Sequence, residues 1–126
     1  MLSLPQAVKI YLCRRPADMR KRFDGLAAMT TEVIEQDPLS GHLFVFRNRR
    51  SDRVKILYWD RDGYAVWAKR LEMGTFPFSE GGDGGVAISS TELAMMLGGV
   101  KIDQTRPTKR YSRELAHASV SYTHLT

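Results

Sequence analysis

The stretch that decides the fold is HLFVFRNRRSDRVKILYWDRDGYAVWAKRLE, residues 42–72. It contains three runs rich in β-branched and aromatic residues, at 42–49, 53–59 and 64–72. Short polar segments separate the runs, first Arg50-Ser51-Asp52 and then Asp60-Arg61-Asp62-Gly63, and both have the length and composition of hairpin turns. In the second turn we expect Gly63 to take the left-handed position that closes a type I turn with a bulge. The stretch therefore predicts an antiparallel three-stranded meander.

The alternation of side chains along the runs predicts what each face of this meander carries. A turn over Asp60–Gly63 with this bulge pairs Trp59 with Ala65. The same register gathers aromatic, aliphatic and cationic side chains on one face, in the pairs Leu57 with Trp67, Lys55 with Lys69, and Arg53 with Leu71. The opposite face carries an ordinary core set, namely Val54, Ile56, Tyr58, Tyr64, Val66 and Ala68.

A two-residue turn at Arg50-Ser51 would extend both faces onto the first run. Phe44 and Phe46 then join the face of the tryptophans. The core face gains Leu43, Val45 and Arg47. One helix cannot easily cover both sides of such a sheet, so a second cover is needed. The candidates are a C-terminal helix, a protein partner and nucleic acid.

The segment before the meander predicts a strand and a helix. Residues 7–13, AVKIYLC, have the composition of a strand. A helix is expected to enter at Pro16 and to end before Asp37-Pro38, since the residue that precedes a proline avoids the helical region. Its apolar stripe recurs with helical spacing and consists of Met19, Phe23, Leu26, Thr30, Val33 and Ile34.

The segment after the meander predicts a glycine-rich loop at 79–85, a short strand at 86–88 and one short helix. Ser89 and Glu92 have the capping-box spacing that starts a helix. The apolar side of this helix and its end are given by Leu93, Met96, Leu97 and Gly98-Gly99. The predicted fold class is thus α+β, an antiparallel β-meander sheet with one long N-terminal helix and a short C-terminal helix.

Length and composition fit one compact domain with a basic balance. The chain has 126 residues, with 19 Lys and Arg against 14 Asp and Glu, and a pI near 9.6. We expect a single domain over residues 1–112 and a disordered or artefactual tail over 113–126. A basic balance favours polyanionic partners through long-range attraction. The single cysteine, Cys13, and the lack of a leader or membrane-length apolar run favour a cytoplasmic location without membrane contact.

Two clusters of basic residues favour a contact with phosphate. The first straddles the junction of the first strand and the helix and comprises Arg14, Arg15, Arg20, Lys21 and Arg22. The second is concentrated at a hairpin tip and comprises Arg47, Arg49, Arg50 and Arg53. Free N–H groups at a helix N-terminus and arginine forks both bind phosphate, and a hairpin tip can contact a DNA backbone. The alternative for each arginine is a solvated charged surface.

The candidate nucleic-acid-binding residues combine these cations with aromatic rings of the sheet. They are Arg20, Lys21, Arg47, Arg49, Arg50, Arg53, Lys55, Trp59, Trp67, Lys69 and Arg70. Aromatic rings beside Lys and Arg can stack bases while the cations hold phosphates. The alternative is that both tryptophans are core residues over which the lysine stems lie.

The acidic residues do not form a catalytic constellation. A metal-dependent nuclease needs several acids that converge on metal ions, and Asp60, Asp62 and Glu72 are the set that this less favoured alternative would use. Asp and Gly are, however, the usual residues of turns. The sequence contains no P-loop, GxSxG elbow or HExxH pair. We therefore predict a protein that is not an enzyme and has no catalytic residues, metal site or cofactor.

Several segments, in their order and spacing, carry a family resemblance. They are DMRK (18–21), FDGL (23–26), DP (37–38), SGHL (40–43), FVFRNRR (44–50), KILYWD (55–60), KRLE (69–72), Gly74 and Phe76. Over residues 5–110 the chain resembles the accessory proteins TnpB of the insertion sequence 66 family, which are encoded by the second reading frame of these elements. RNA-guided nucleases that share the name TnpB are unrelated.

The resemblance implies a bacterial protein that is needed for efficient transposition and is encoded beside a large transposase that cleaves the DNA. Together with the basic clusters, it leads us to expect binding to DNA at the element ends, to the transposase of the same element, or to both. Such a protein would be nucleoid-associated when bound to DNA. The alternative is a protein–protein adaptor whose aromatic sheet face docks the transposase or a second copy in a homodimer.

Overall fold

The protein's structure, a computed structural model, describes residues 8–78 and 82–98. Its elements in chain order are β1 (Ile10–Cys13), α1 (Phe23–Met29) continued by a π-helical turn (Thr30–Ile34), β2 (Leu43–Arg47), β3 (Arg53–Asp60), β4 (Gly63–Arg70), β5 (Gly85–Ile88) and α2 (Ser90–Leu97). The predicted tail over 113–126 lies outside the described residues.

The five strands form one sheet in the order β4-β3-β2-β1-β5. β1 and β2 are parallel, with Ile10 beside Leu43 and Leu12 beside Val45, whereas the other neighbours are antiparallel. The predicted antiparallel sheet is therefore wrong, because the sheet is mixed. The reason lies in the connection: α1 carries the chain from the end of β1 back to the start of β2, and parallel strands require such a crossover.

The predicted long N-terminal helix is also wrong. α1 has 7 residues and its π-helical continuation has 5, so the helix begins at Phe23 rather than at Pro16. The preceding segment uses its polar groups in turns, since the Ala17 N–H donates to a carbonyl of β2 (2.8 Å) and the Asp18 carboxylate accepts from the Arg20 N–H (2.9 Å). A side chain that satisfies nearby backbone groups in this way competes with helix formation.

The predicted β2–β3–β4 meander is present, and the register of its first hairpin is confirmed. Phe44 pairs with Leu57 and Phe46 pairs with Lys55, as a two-residue turn at Arg50-Ser51 requires. The side chains of β2 therefore lie on the predicted faces.

The register of the second hairpin is one residue away from the prediction. Trp59 pairs with Tyr64 rather than with Ala65, because Arg61-Asp62 forms a two-residue turn without the bulge that the prediction placed at Gly63. Arg61 has the positive φ, 58°, that the prediction assigned to Gly63. A tight hairpin turn requires a positive φ at a central position, and here an arginine supplies it.

This shift exchanges the two faces of β4, because a slip of one residue turns every side chain of a strand over. Trp67 and Lys69 are paired with Ile56 and Val54, so they lie on the face opposite to Trp59. The face of Trp59 instead receives Tyr64, Val66 and Ala68 from β4. The prediction that Trp59 and Trp67 share one face with Lys55 and Lys69 is therefore wrong.

Each face of the sheet is covered by a helix. The core on the α1 side consists of Cys13, Ala17, Leu26, Met29, Val33, Ile34, Phe44, Phe46 and Leu57. On the other side, α2 packs over β1, β2 and β3 in a core that consists of Ile10, Leu12, Val45, Val54, Ile56, Phe76, Leu93, Met96 and Leu97. Of the three candidate covers, the C-terminal helix is thus the one that occupies the second face.

The predicted capping box at the start of α2 is confirmed. The Ser89 hydroxyl accepts from the Glu92 N–H (3.0 Å), and the Glu92 carboxylate accepts from the Ser89 N–H (2.8 Å). These two bonds satisfy backbone donors that the first turn of a helix leaves unpaired.

Candidate nucleic-acid interface

Three segments that are distant in sequence enclose a concave surface at one end of the sheet. They are the loop after β1, the β2–β3 hairpin tip and the end of β4. The cavity has a volume of about 640 Å³ and is lined by Pro16, Ala17, Asp18, Met19, Arg20, Asn48, Arg49, Arg50, Asp52, Arg53 and Arg70. Five arginines and two aspartates therefore meet at this surface.

A second concavity of about 380 Å³ adjoins the first and shares Met19, Arg53 and Arg70 with it. It adds two lysines, Lys55 and Lys69, and one acid, Glu72. We call the two concavities together the basic groove. Its cations are Arg20, Arg49, Arg50, Arg53, Lys55, Lys69 and Arg70, against the acids Asp18, Asp52 and Glu72.

The tip of the β2–β3 hairpin is fixed by the side chain of Asn48. The Asn48 amide oxygen accepts from the N–H groups of Asp52 (3.1 Å) and Arg53 (3.0 Å), and its NH₂ group donates to the Asp52 carboxylate (2.6 Å). This last bond is the main reason that the pKa of Asp52 lies below its usual range. The closed tip leaves Arg49 and Arg50 exposed to solvent.

Acidic neighbours neutralise some of these cations. The Asp18 carboxylate pairs with Arg20 at 2.7 Å, and hydrogen bonds from Arg20 lower the pKa of Asp18 to about 2. Arg70 pairs with Glu72 at 3.1 Å. By contrast, no ion pair is formed by Arg49, Arg50 or Arg53 within the described ranges 8–78 and 82–98. Of the five groove arginines, the three without an ion pair in this part of the chain are thus those at the hairpin tip and its first following residue of β3.

Lys55, which was predicted to contact phosphate, instead forms hydrogen bonds within the protein. Its ammonium group donates to the carbonyl oxygens of Met19 (2.8 Å) and Lys21 (2.9 Å). These bonds tie β3 to the segment that carries Arg20. Lys21 itself is half-buried and does not line the groove.

The remaining predicted arginines lie outside the groove lining. Arg47 is half-buried, with its guanidinium over the Phe78 ring (5.2 Å) and donating to the Arg14 carbonyl (3.0 Å). Arg15 forms two hydrogen bonds with Asp83, of 2.9 and 2.7 Å. The first predicted cluster is therefore divided, because Arg20 reaches the groove while Arg14 and Arg15 hold the segment that leads into β5.

The two tryptophans also lie outside the lining. Trp59 packs edge-on against Tyr64, with ring centroids 5.1 Å apart. Trp67 packs against the core beneath α2. The aromatic face on which the adaptor alternative depends is covered, since Phe44 and Phe46 are completely buried on the α1 side.

The structure does not bring together the acids of the nuclease alternative. Asp60 and Asp62 lie at the far end of the β3–β4 hairpin, whereas Glu72 lies at the groove. Among the residues that the structure describes, no three His, Cys, Asp or Glu side chains are grouped to hold a metal ion. In that same part of the chain, no helix is long and apolar enough to cross a membrane.

Sequence reasoning missed three participants of the site: Asp18, Asn48 and Asp52. Asn48 precedes the tip arginines and Asp52 follows them, and Asn and Asp are residues that commonly bond to turn backbones. The position of Asn48 and Asp52 on either side of the tip arginines was therefore the sequence signal for a hydrogen-bonded turn.

The fold and the groove define a small mixed α/β domain with a concave cationic surface. The family described as IS66 Orf2 like protein matches residues 8–107, and the chain belongs to this family. Two relatives come from Sinorhizobium fredii. Uncharacterized protein y4jC is 34% identical over 114 residues, covering 87% of this chain and 96% of the relative. Uncharacterized protein y4hO is 35% identical over 113 residues, covering 86% and 98%. No solved structure matches the chain significantly.

Membership in this family makes the chain a transposition-associated accessory protein. The resemblance noted from the sequence segments is thereby confirmed.

Proposed function

We propose that this protein assists transposition as a non-catalytic accessory factor that binds DNA of its insertion sequence through the basic groove. The observation that carries the proposal is the meeting of five arginines, from three separate segments, on one concave surface. Arginine forks match the geometry of phosphate oxygens. A concave cationic surface also concentrates the electrostatic field and so attracts a polyanion.

The tip arginines are the principal contacts in this proposal. Arg49 and Arg50 project from a closed hairpin, and Arg53 starts the strand that follows. Because these three cations have no ion-pair partner within the described parts of the chain, a phosphate need not displace a carboxylate to reach them. Contacts of this kind position a protein on DNA without reading its sequence.

The test compares Arg50→Gln with Arg61→Gln. Both arginines are exposed at a hairpin tip, and each substitution removes one charge, but Arg61 lies at the far end of the β3–β4 hairpin. The DNA affinity is measured over a range of salt concentrations with duplexes that carry the element ends. We expect the slope of log affinity against log salt to fall by about 1 for Arg50→Gln and to stay unchanged for Arg61→Gln.

If the two substitutions lowered the salt slope equally, DNA affinity would depend on the net charge of the protein. The proposal that the groove is the DNA-binding site would then be wrong. If the chain has no DNA affinity but stays with the transposase after nuclease digestion, a protein–protein adaptor replaces this proposal.

A further inference from the structure

The lining of the basic groove has a consistent chemical character. It combines cations, three acids, Asn48 and small or aliphatic side chains, and its described residues include no aromatic ring. Proteins that bind single strands pair a cationic groove with aromatic side chains on which successive bases stack. Over residues 8–78 and 82–98 the groove supplies the cations but no aromatic side chain.

Partly exposed aromatic side chains from neighbouring parts of the chain lie outside the groove lining. Trp59 lies six residues along β3 from Arg53, roughly 20 Å at the rise of a strand, and its ring is packed against Tyr64. Trp67 lies on the same face of β4 as Lys69, but its side chain packs against the core beneath α2 and does not line the groove. Phe23, which is 47% exposed at the start of α1, is outside the lining.

The polar side chain best suited to reading a base edge is also occupied. Asn and Gln read adenine through an amide that both donates and accepts. The Asn48 amide already accepts from two backbone N–H groups and donates to Asp52. The groove therefore offers its ligand charge and arginine forks, not base stacking or an amide reader.

We propose that the basic groove selects duplex DNA over single-stranded DNA by holding its phosphate backbone. This inference rests on the proposed DNA-binding function and adds the class of substrate. A duplex carries one negative charge per about 1.7 Å of its axis and keeps its bases stacked inside, so phosphate contacts alone suffice to hold it. A single strand has a lower charge density, and its unstacked bases would find no ring among the groove residues that the structure describes.

The test measures the affinity of the full chain for a labelled duplex and for each of its two separated strands, at several salt concentrations. We expect the duplex to bind about tenfold more tightly than either strand, with a steeper salt slope, since about 0.9 counterions are released per duplex contact against about 0.7 per single-strand contact. Arg50→Gln should weaken duplex binding severalfold, whereas Phe23→Ala and Trp59→Leu, which remove an aromatic ring, should leave it unchanged.

Three outcomes would overturn the inference; the first two leave DNA binding standing, and the third does not. If single strands bind as tightly as the duplex through Arg50, or if Phe23→Ala or Trp59→Leu weakens binding as much as Arg50→Gln, duplex selection is wrong while DNA binding remains. If neither form of DNA binds, the proposed function fails together with the inference.

Discussion

Asp18 is the residue whose charge most directly offsets the arginines of the groove. Its carboxylate makes three hydrogen bonds with the Arg20 guanidinium, and it also accepts from the Arg20 backbone N–H. The pKa of Asp18 falls from 3.8 to about 2 mainly because of the side-chain bonds. Because the folded-state pKa lies below the unfolded one, the pair stabilises the fold above about pH 4 and loses this contribution as the pH falls through about 2.

We expect Asp18→Asn to strengthen DNA binding at neutral pH. The amide oxygen can still accept from the Arg20 N–H, but it no longer neutralises the guanidinium, so Arg20 becomes available for a phosphate. The slope of log affinity against log salt should steepen by about 0.9, the value for one additional contact. The control is Asp24→Asn, which removes the same charge from an exposed position in the first turn of α1. Equal gains in the two variants would contradict a local role for Asp18.

At the scale of elements, the start of α2 was predicted correctly from a short sequence pattern, whereas the turn between β3 and β4 was not. The spacing of Ser89 and Glu92 predicts the helix start correctly, because a capping box is a local bond between neighbours. The turn between β3 and β4 is also local, yet its prediction is wrong, because Asp60-Arg61-Asp62-Gly63 is compatible with a turn that has a bulge and with one that has none. The presence or absence of this one-residue bulge decides on which face of the sheet Trp67 lies.

We expect Ser89→Ala to lower the free energy of unfolding by about 1 kcal/mol, the usual cost of losing an N-cap hydroxyl. The Glu92 N–H would lose its acceptor, which lies 3.0 Å away. Urea denaturation should show a lower midpoint with an unchanged slope. Ser90→Ala serves as the control because Ser90 is exposed in the same first turn. A midpoint shift of the same size in Ser90→Ala would argue against the capping box as the cause.

At the scale of the whole molecule, Lys55 connects the fold to the groove. It lies on β3, and its ammonium group donates to the carbonyls of Met19 and Lys21, more than thirty residues earlier in the chain. Arg20 lies between these two carbonyls. Lys55 therefore holds one wall of the groove in place against the sheet.

We expect Lys55→Met to lower the free energy of unfolding by about 1.5–3 kcal/mol, because two charge-assisted hydrogen bonds are lost. Lys69→Met is the matched control, since it removes the same charge from the groove lining without breaking such a tie. Further, Arg20→Gln should reduce DNA affinity less in the Lys55→Met background than in the parent chain, because Arg20 is no longer held in the groove. Equal losses of unfolding free energy in Lys55→Met and Lys69→Met would contradict this role.

The sequence by itself determined the meander, the register of its first hairpin, the capped C-terminal helix and the family. The three structural features depend on interactions between residues close together in the chain, and the family depends on the order of short sequence segments. Only the tertiary structure decided that β1 lies parallel to β2, that the helix begins at Phe23, and that Arg20 joins the tip arginines while Arg47 packs on Phe78. These features depend on contacts between residues far apart in sequence, where long-range packing and hydrogen bonding outweigh local preference.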